Sequence, residues 1–200
     1  MKAEMLILGA LHRGRLHPYE IKRRLTNAMV ECFADVDVGT LYYAVRQLAK
    51  AKLIRAVSQR RVAQGGIKTH YALTKAGRAR FQDLLNGCFA ADGAVAETLY
   101  VAMLFLHLGD AKHIAELLRV RIARQKATAA KMADIKRQFQ PLLGTGGLWL
   151  LKHLEVQRNH DLKWLRGLLV EMSAGKVCDL PEPARLRLAA TIQGTAHPSE

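Results

Sequence analysis

Residues 38–54 read VGTLYYAVRQLAKAKLI, and this stretch decides the fold. Gly39-Thr40 suits a helix start, because a Thr side chain accepts a bond from an unpaired first-turn N–H. On a helix, Leu41, Ala44, Val45 and Leu48 share one side, which predicts a stripe turned to a core. Tyr43, Arg46 and Lys50 occupy the opposite side, flanked by Thr40, Tyr42 and Gln47. Hydroxyls, an amide, a guanidinium and an ammonium are the groups that bond phosphate oxygens and base edges. No carboxylate lies between Gly39 and Ile54, so nothing on that face repels a polyanion. Taken alone, the stretch suits an amphipathic helix with a solvated basic face equally well.

The next residues tip the balance. Ile54–Arg60 predicts a short strand. Ile67–Leu73 alternates, with Ile67, Thr69, Tyr71 and Leu73 on one face and Lys68, His70 and Ala72 on the other. Gln64-Gly65-Gly66 between them predicts a turn. The hairpin shoulders carry Arg60, Arg61 and Lys68. A basic-tipped hairpin directly after a polar-faced helix is the layout of a winged helix-turn-helix, in which the helix enters a major groove and the hairpin follows the backbone.

The charge agrees. The chain of 200 residues carries a formal net charge of +14. Residues 1–87 hold 16 Lys and Arg against 6 Asp and Glu, a net of +10, and residues 88–200 hold 15 against 11, a net of +4. The excess sits in the half with the hairpin and points to a nucleic acid there. A basic membrane-surface helix needs one continuous apolar face, whereas this charge is spread over several short elements. The most apolar run, Val95–Leu108, falls short of the roughly 20 residues of a membrane span. The first residues, interrupted by Glu4, do not read as a signal peptide. Cys32, Cys88 and Cys178 are far apart and odd in number, which predicts a reducing, cytoplasmic setting without disulfides or zinc.

In chain order, Lys2–Leu11 predicts a first helix buried through Met5, Leu6, Leu8 and Ala10, ending at Gly14. A second starts at Pro18, since proline at the first helical position forfeits no bond, and its inner stripe is Ile21, Leu25, Ala28 and Met29. Asp35 and Asp37 precede the third helix and complement its N-terminal dipole.

At this point the chain resembles the N-terminal domain of PadR-type transcriptional regulators. The segments LHPYEIKRRL, GTLYYAVRQLAKAKLI and KTHYALTKAGR match that family's LHGYEI-like, GTLY-x-x-L-x-x-L-x-x-x-G-L-I and Y-x-L-T-x-x-G segments, in order, across residues 3–86. Pro18 replaces the usual Gly. Lys52 stands where Gly usually precedes Leu-Ile, which predicts a less sharp helix end. The resemblance puts Thr40, Tyr42, Tyr43 and Arg46 on the recognition helix. The Tyr42 phenol either bonds a phosphate or wedges between helices.

Thr74 predicts the cap of a fourth helix with Phe81, Leu84 and Leu85 inward, and Asn86-Gly87 predicts its stop and a domain boundary. Gly93–Leu108 predicts one helix that is apolar nearly all round. Asp110 predicts the cap of a long helix from Ala111 to Phe139, with Ile114, Leu118, Ile122, Met132, Ile135 and Phe139 at helical spacing. Pro141 and Gly144–Gly147 predict a loop, and Leu148 to about Ala174 a last long helix with Leu151, Leu154, Leu165, Leu168 and Met172 apolar. Such helices close little core alone, so a second copy is expected to cover them. The longer PadR-type proteins, which this half resembles in pattern, dimerise through C-terminal helices. The expected architecture is mainly α: a winged helix-turn-helix with a two-stranded wing at 1–87, a helical dimerisation and effector domain at 88–175, and a flexible tail at 176–200.

No enzyme site emerges. His153 and His160 are seven residues apart, about 10 Å along a helix and too far to share a metal. Gly144–Gly147 lacks the Lys and strand of a phosphate loop. Neither a cofactor nor a metal is expected. Some PadR-type regulators bind aromatic or drug-like molecules at the dimer interface, so the resemblance implies an effector pocket near Met103, Phe105, Trp149 or Trp164. Core and interface anchoring is the other account of those side chains. Trp149 and Trp164 lie about 22 Å apart along one helix, so within one chain they cannot share a small ligand.

The expected function is a homodimeric repressor on a pseudo-palindromic double-stranded operator, relieved by a small aromatic effector. Arg46 and Gln47 are assigned to base edges, Thr40, Tyr42 and Lys50 to phosphates, with Tyr43 beside them. Arg60, Arg61, Lys68 and His70 are assigned to the DNA backbone or a minor groove. The alternatives are a protein-interaction module, which should show no basic concentration on helix and wing, and an effector-independent activator on the same scaffold. An RNA-binding protein should expose aromatics on a sheet. Here the hairpin offers only Tyr71, which the alternation turns inward.

Overall fold

The computed structural model describes residues 2–34, 38–61 and 67–177, without the side chains of Val38, Arg60, Arg61 and Ile67. Asp35, Asp37, the Gln64–Gly66 turn, Cys178 and the rest of the tail lie outside the described residues. The chain forms two compact units. Among the described residues, the first comprises 2–85 with Tyr100–Phe105, and the second 86–99 with 106–177.

The first unit is built on α1 (Lys2–Leu11), α2 (Pro18–Asn27), α3 (Val38–Lys50), β1 (Ile54–Arg61), β2 (Ile67–Leu73) and most of α4 (Lys75–Ala90). Met5–Leu11 of α1 are all buried, so α1 is the core helix rather than an amphipathic one. The inner stripe of α3 is as expected, with Leu41, Val45 and Leu48 buried. Pro18 opens α2 behind a capping box: the His17 Nδ1 accepts the Tyr19 N–H, and Glu20 Oε2 accepts the His17 N–H at 2.7 Å. Ala28 and Met29 are exposed, not buried. The helix stops at Asn27, and Met29 adopts a left-handed φ of 54° before a 3-10 turn at Val30–Cys32.

The end of α3 corrects the expectation of a blurred stop. Leu53 N–H reaches Leu48 O at 3.0 Å and Lys52 N–H reaches Ala49 O at 3.0 Å, with Lys52 left-handed at φ 58°. This is a Schellman cap, made by a lysine where glycine fits without strain. Thr74 caps α4 as expected, its Oγ1 accepting the Gly77 N–H at 3.0 Å. The same hydroxyl donates to the carbonyls of Lys52 and Leu53, so one side chain ties the end of α3 to the start of α4. Gly77 is required there, because a Cβ would come within 2.0 Å of Leu53 O.

The helix α4 does not stop at Asn86-Gly87. It runs to Ala90, and Cys88 and Phe89 are buried. Glycine inside a helix costs about 1 kcal/mol, less than the ~1.5–3 kcal/mol of burying one large apolar side chain.

Gly93–Leu108 is not one helix. It divides into two single turns, α5 (Val95–Thr98) and α6 (Tyr100–Met103), and a 3-10 turn at Leu106–Leu108. A single helix buries one stripe efficiently. The short turns instead bury Val95, Leu99 and Leu106 in the second unit and Val101, Ala102 and Phe105 in the first. Phe105 stacks edge-on to Phe81 at 5.8 Å and faces Gly9, where a Cβ would come within 2.5 Å of its ring.

In the second unit, α7 (Ala111–Phe139) pairs with α8 (Thr145–Ser173). Asp110 caps α7 as expected, accepting the Lys112 and His113 N–H groups. The glycine loop is shorter than expected. Gly144 is the cap, and Gly146 and Gly147 already belong to α8. Ile114, Leu118, Ile122, Leu162, Leu165, Leu168 and Met172 are buried, whereas Ile135 and Phe139 on the distal part of α7 are exposed.

Candidate nucleic-acid interface

The outer face of α3 is a set of uncommitted donors. Tyr42 and Tyr43 are 37% and 58% exposed. Thr40, Arg46, Gln47 and Lys50 are exposed too. Among the described residues, Tyr42, Tyr43, Arg46, Gln47 and Lys50 make no hydrogen bond or ion pair. This is the unusual feature of the helix: five polar side chains on one side, none spent on the fold.

The wing is an antiparallel pair with Ile54 opposite Leu73 and Arg60 opposite Lys68. A bulge between Ala56 and Ser58 shifts the register. Leu16 joins as a third short segment, exchanging N–H and C=O bonds with Tyr71 at 3.1 and 2.9 Å, which anchors the wing to the loop ahead of α2. Leu16 gave no strand signal in the sequence, being a single bridge residue beside a proline. Lys68 is exposed. Thr69 to Leu73 are all half-buried, so the clean two-face alternation expected of β2 is not realised, and Tyr71 is neither fully inward nor a stacking platform.

His70 has partners of its own within the first unit. Its Nδ1 pairs with Ser58 Oγ at 3.2 Å and its Nε2 lies 3.7 Å from Glu20 Oε2, with the His17 ring 6.0 Å away. It therefore faces the start of α2. Burial lowers the His17 pKa, with His70 and Lys68 adding to the effect and Glu20 opposing it. Arg60 and Arg61 lie on β1 by backbone, and their side chains are outside the described part.

Residues 7–83, which span α1 to α4 and the wing, match the sequence profile of the family described as "Transcriptional regulator PadR-like family". This part of the chain belongs to the PadR-like family. A PadR-like domain belongs to a regulator of transcription, not to an enzyme. No curated protein matches the chain. Similar solved structures include that of Bacillus subtilis PadR in complex with operator DNA, 17% identical, covering 84% of this chain and 98% of that one at a TM-score of 0.39. A PadR-like transcriptional regulator from Bacillus cereus is 20% identical, with 86% and 99% covered and a TM-score of 0.35. A protein from Streptococcus mutans is 20% identical, with 85% and 99% covered and a TM-score of 0.40.

The expected effector residues divide between the two units of the chain. Met103 and Phe105 belong to the first, Phe105 in its core, and Trp149 and Trp164 to α8 in the second. Trp149 is 66% exposed with the Lys152 ammonium 5.2 Å from its ring, and Trp164 lines an open cavity of about 460 Å³ with His160, Lys163, Gly167 and Glu171. Among the described residues, no three His, Cys, Asp or Glu side chains could hold a metal ion, and no helix is long and apolar enough to cross a membrane.

Proposed function

We propose that the chain is a sequence-specific, homodimeric repressor that acts in the cytoplasm on a pseudo-palindromic operator through residues 1–87. The observation that carries the reading is the outer face of α3, exposed, free of carboxylates and bearing five uncommitted polar side chains. Arg46 and Gln47 read base edges in the major groove, and Thr40, Tyr42, Tyr43 and Lys50 hold phosphates around them. Lys68, with Arg60 and Arg61 on the facing strand, follows the backbone beside the groove. His70 serves to fix the wing against α2 rather than to touch DNA, since Ser58 and Glu20 already surround its ring.

Dimerisation falls to the helical residues 88–175. The turn between α7 and α8 leaves Phe139, Leu142, Trp149 and Leu150 in solvent, with Leu142 78% exposed. Apolar side chains clustered at one end of a helical hairpin suit burial against a two-fold mate. Two recognition helices then enter successive major grooves about one helical turn apart, and occupancy blocks a promoter. Effector relief belongs to the same reading. With Phe105 committed to a core, Trp149 and Trp164 are the better part of the expected effector set, and an effector acts by binding one arrangement of the dimer more tightly than the other.

The test is base-resolved binding by Arg46→Ala and Lys68→Ala on a selected operator. Arg46→Ala should lose about 1–3 kcal/mol at one base position and relax its specificity. Lys68→Ala should weaken all sequences alike and lower the salt slope by about one. Uniform loss in both variants would remove the division between reading and positioning.

A further inference from the structure

Two histidines surround one carboxylate where the wing meets the start of α2. Glu20 Oε2 of α2 accepts the His17 N–H at 2.7 Å and lies 3.7 Å from His70 Nε2 on β2. Ser58 Oγ of β1 meets His70 Nδ1 from the facing strand at 3.2 Å. At the same join, Leu16 and Tyr71 exchange their backbone bonds. Two further charges bear on the cluster: Lys68 of β2 acts on His17, and Arg24, one turn along α2, acts on Glu20. Arg60, opposite Lys68 on β1, has its side chain outside the described residues.

A proton affects the two rings differently. His17 Nδ1 accepts the Tyr19 N–H at 3.1 Å, so protonating it breaks the cap of α2. His70 loses no bond. A serine hydroxyl both donates and accepts, so Ser58 turns from giving a hydrogen bond to Nδ1 to receiving one. The protonated ring then sets a full positive charge beside Glu20, where a neutral ring at 3.7 Å is beyond hydrogen-bond reach. The ring centroids are 6.0 Å apart, so a charge on one disfavours a second on the other. The cluster therefore takes up one proton, and His70 carries it. Lys68 is two residues away on the same strand, so a firmer join holds a DNA-contacting side chain in place before DNA arrives. We propose that Glu20, His70 and Ser58 form a proton-operated latch between α2 and the wing, which tightens the hold on operator DNA as the pH falls from about 8 to about 6.5. The latch presupposes that α3 and the wing bind DNA.

Two measurements on the full chain test it, each at about pH 8 and about pH 6.5 and at constant ionic strength. One is affinity for a selected operator. The other is hydrogen-exchange protection of the Leu16 and Tyr71 amides without DNA, corrected for intrinsic exchange at each pH. The lower pH should raise both about two- to fourfold, the range of one partly exposed ion pair. Glu20→Gln should abolish both rises, because glutamine keeps the bond to the His17 N–H and lacks the charge. His70→Gln should abolish them too. His17→Asn, which keeps the cap without a titrating ring, should retain them. A general gain of positive charge would instead leave the affinity rise intact in Glu20→Gln, and that result overturns the latch. So does a rise that is lost in His17→Asn, or an operator affinity that ignores the pH in the parent. Failure of the DNA reading looks different: no operator is selected at either pH, and the protection of the two amides alone then decides the latch.

Discussion

Lys52 occupies a backbone conformation that suits glycine, at the point where α3 hands over to the wing. A non-glycine residue in the left-handed region costs about 1–2 kcal/mol, part of which glycine gives back through its freer unfolded chain. Lys52→Gly should therefore stabilise the protein by about 0.5–1 kcal/mol in urea unfolding with an unchanged m-value. A loss would mean that the lysine side chain makes a compensating contact. At His17 the prediction concerns pH. Its Nδ1 must be unprotonated to accept the Tyr19 N–H, and burial holds its pKa below the ordinary 6.5. The folded state then binds fewer protons than the unfolded one. Stability is complete above pH 6.5 and falls as the pH drops through the lowered value. Burial shifts His12 in the same direction, so His17→Asn, which caps a helix at any pH, should remove part of the acid loss and not all of it. The departure at Lys52 was visible in the sequence, but its outcome was not, because the cap is completed by Thr74, twenty-two residues away. The chemistry of the α3 face was legible because polar types at helical spacing need no partner to be recognised. His70 was not, since its surroundings depend on a bulge and on the start of α2.

Elements with a single strong period were legible nearly to the residue. Asp110 and the stripe from Ile114 to Ile122 place α7, and Pro18 places the start of α2. Gly93–Leu108 was not legible, because a run that is apolar on every side contains no phase, and only packing decides where it breaks. Asn86-Gly87 misled for a related reason: a local stop signal was outweighed by the burial of Phe89. Arg121 was not legible in the sequence either. Nothing in RVRIARQ distinguishes a buried arginine from a solvated one, yet it holds three acceptors and fastens the segment after α4. Arg121→Ala should cost about 3 kcal/mol or more in denaturant unfolding, because three bonds to a charged donor are lost together. Arg121→Lys should recover little, since one ammonium cannot span the three acceptors of a guanidinium fork.

Two compact units in one chain agree with the charge distribution, which puts most of the positive excess before residue 88. The length of the C-terminal helices was legible, and Ile135 and Phe139 continue the period of α7 into a part where both side chains are exposed. Sedimentation should find the wild type dimeric at micromolar concentration, and Leu142→Glu combined with Trp149→Glu should shift it toward monomer without loss of helix content. A variant as dimeric as the parent would move the interface off the hairpin turn. The central claim joins α3, the wing and a two-fold partner into one reader of DNA. Its most direct test is selection of bound duplexes from a random-sequence pool at two salt concentrations. The account predicts an inverted repeat with half-sites about one helical turn apart, enriched at both salts. Salt-sensitive binding with no enriched sequence would contradict it and leave the basic charge of the first unit as a non-specific attraction.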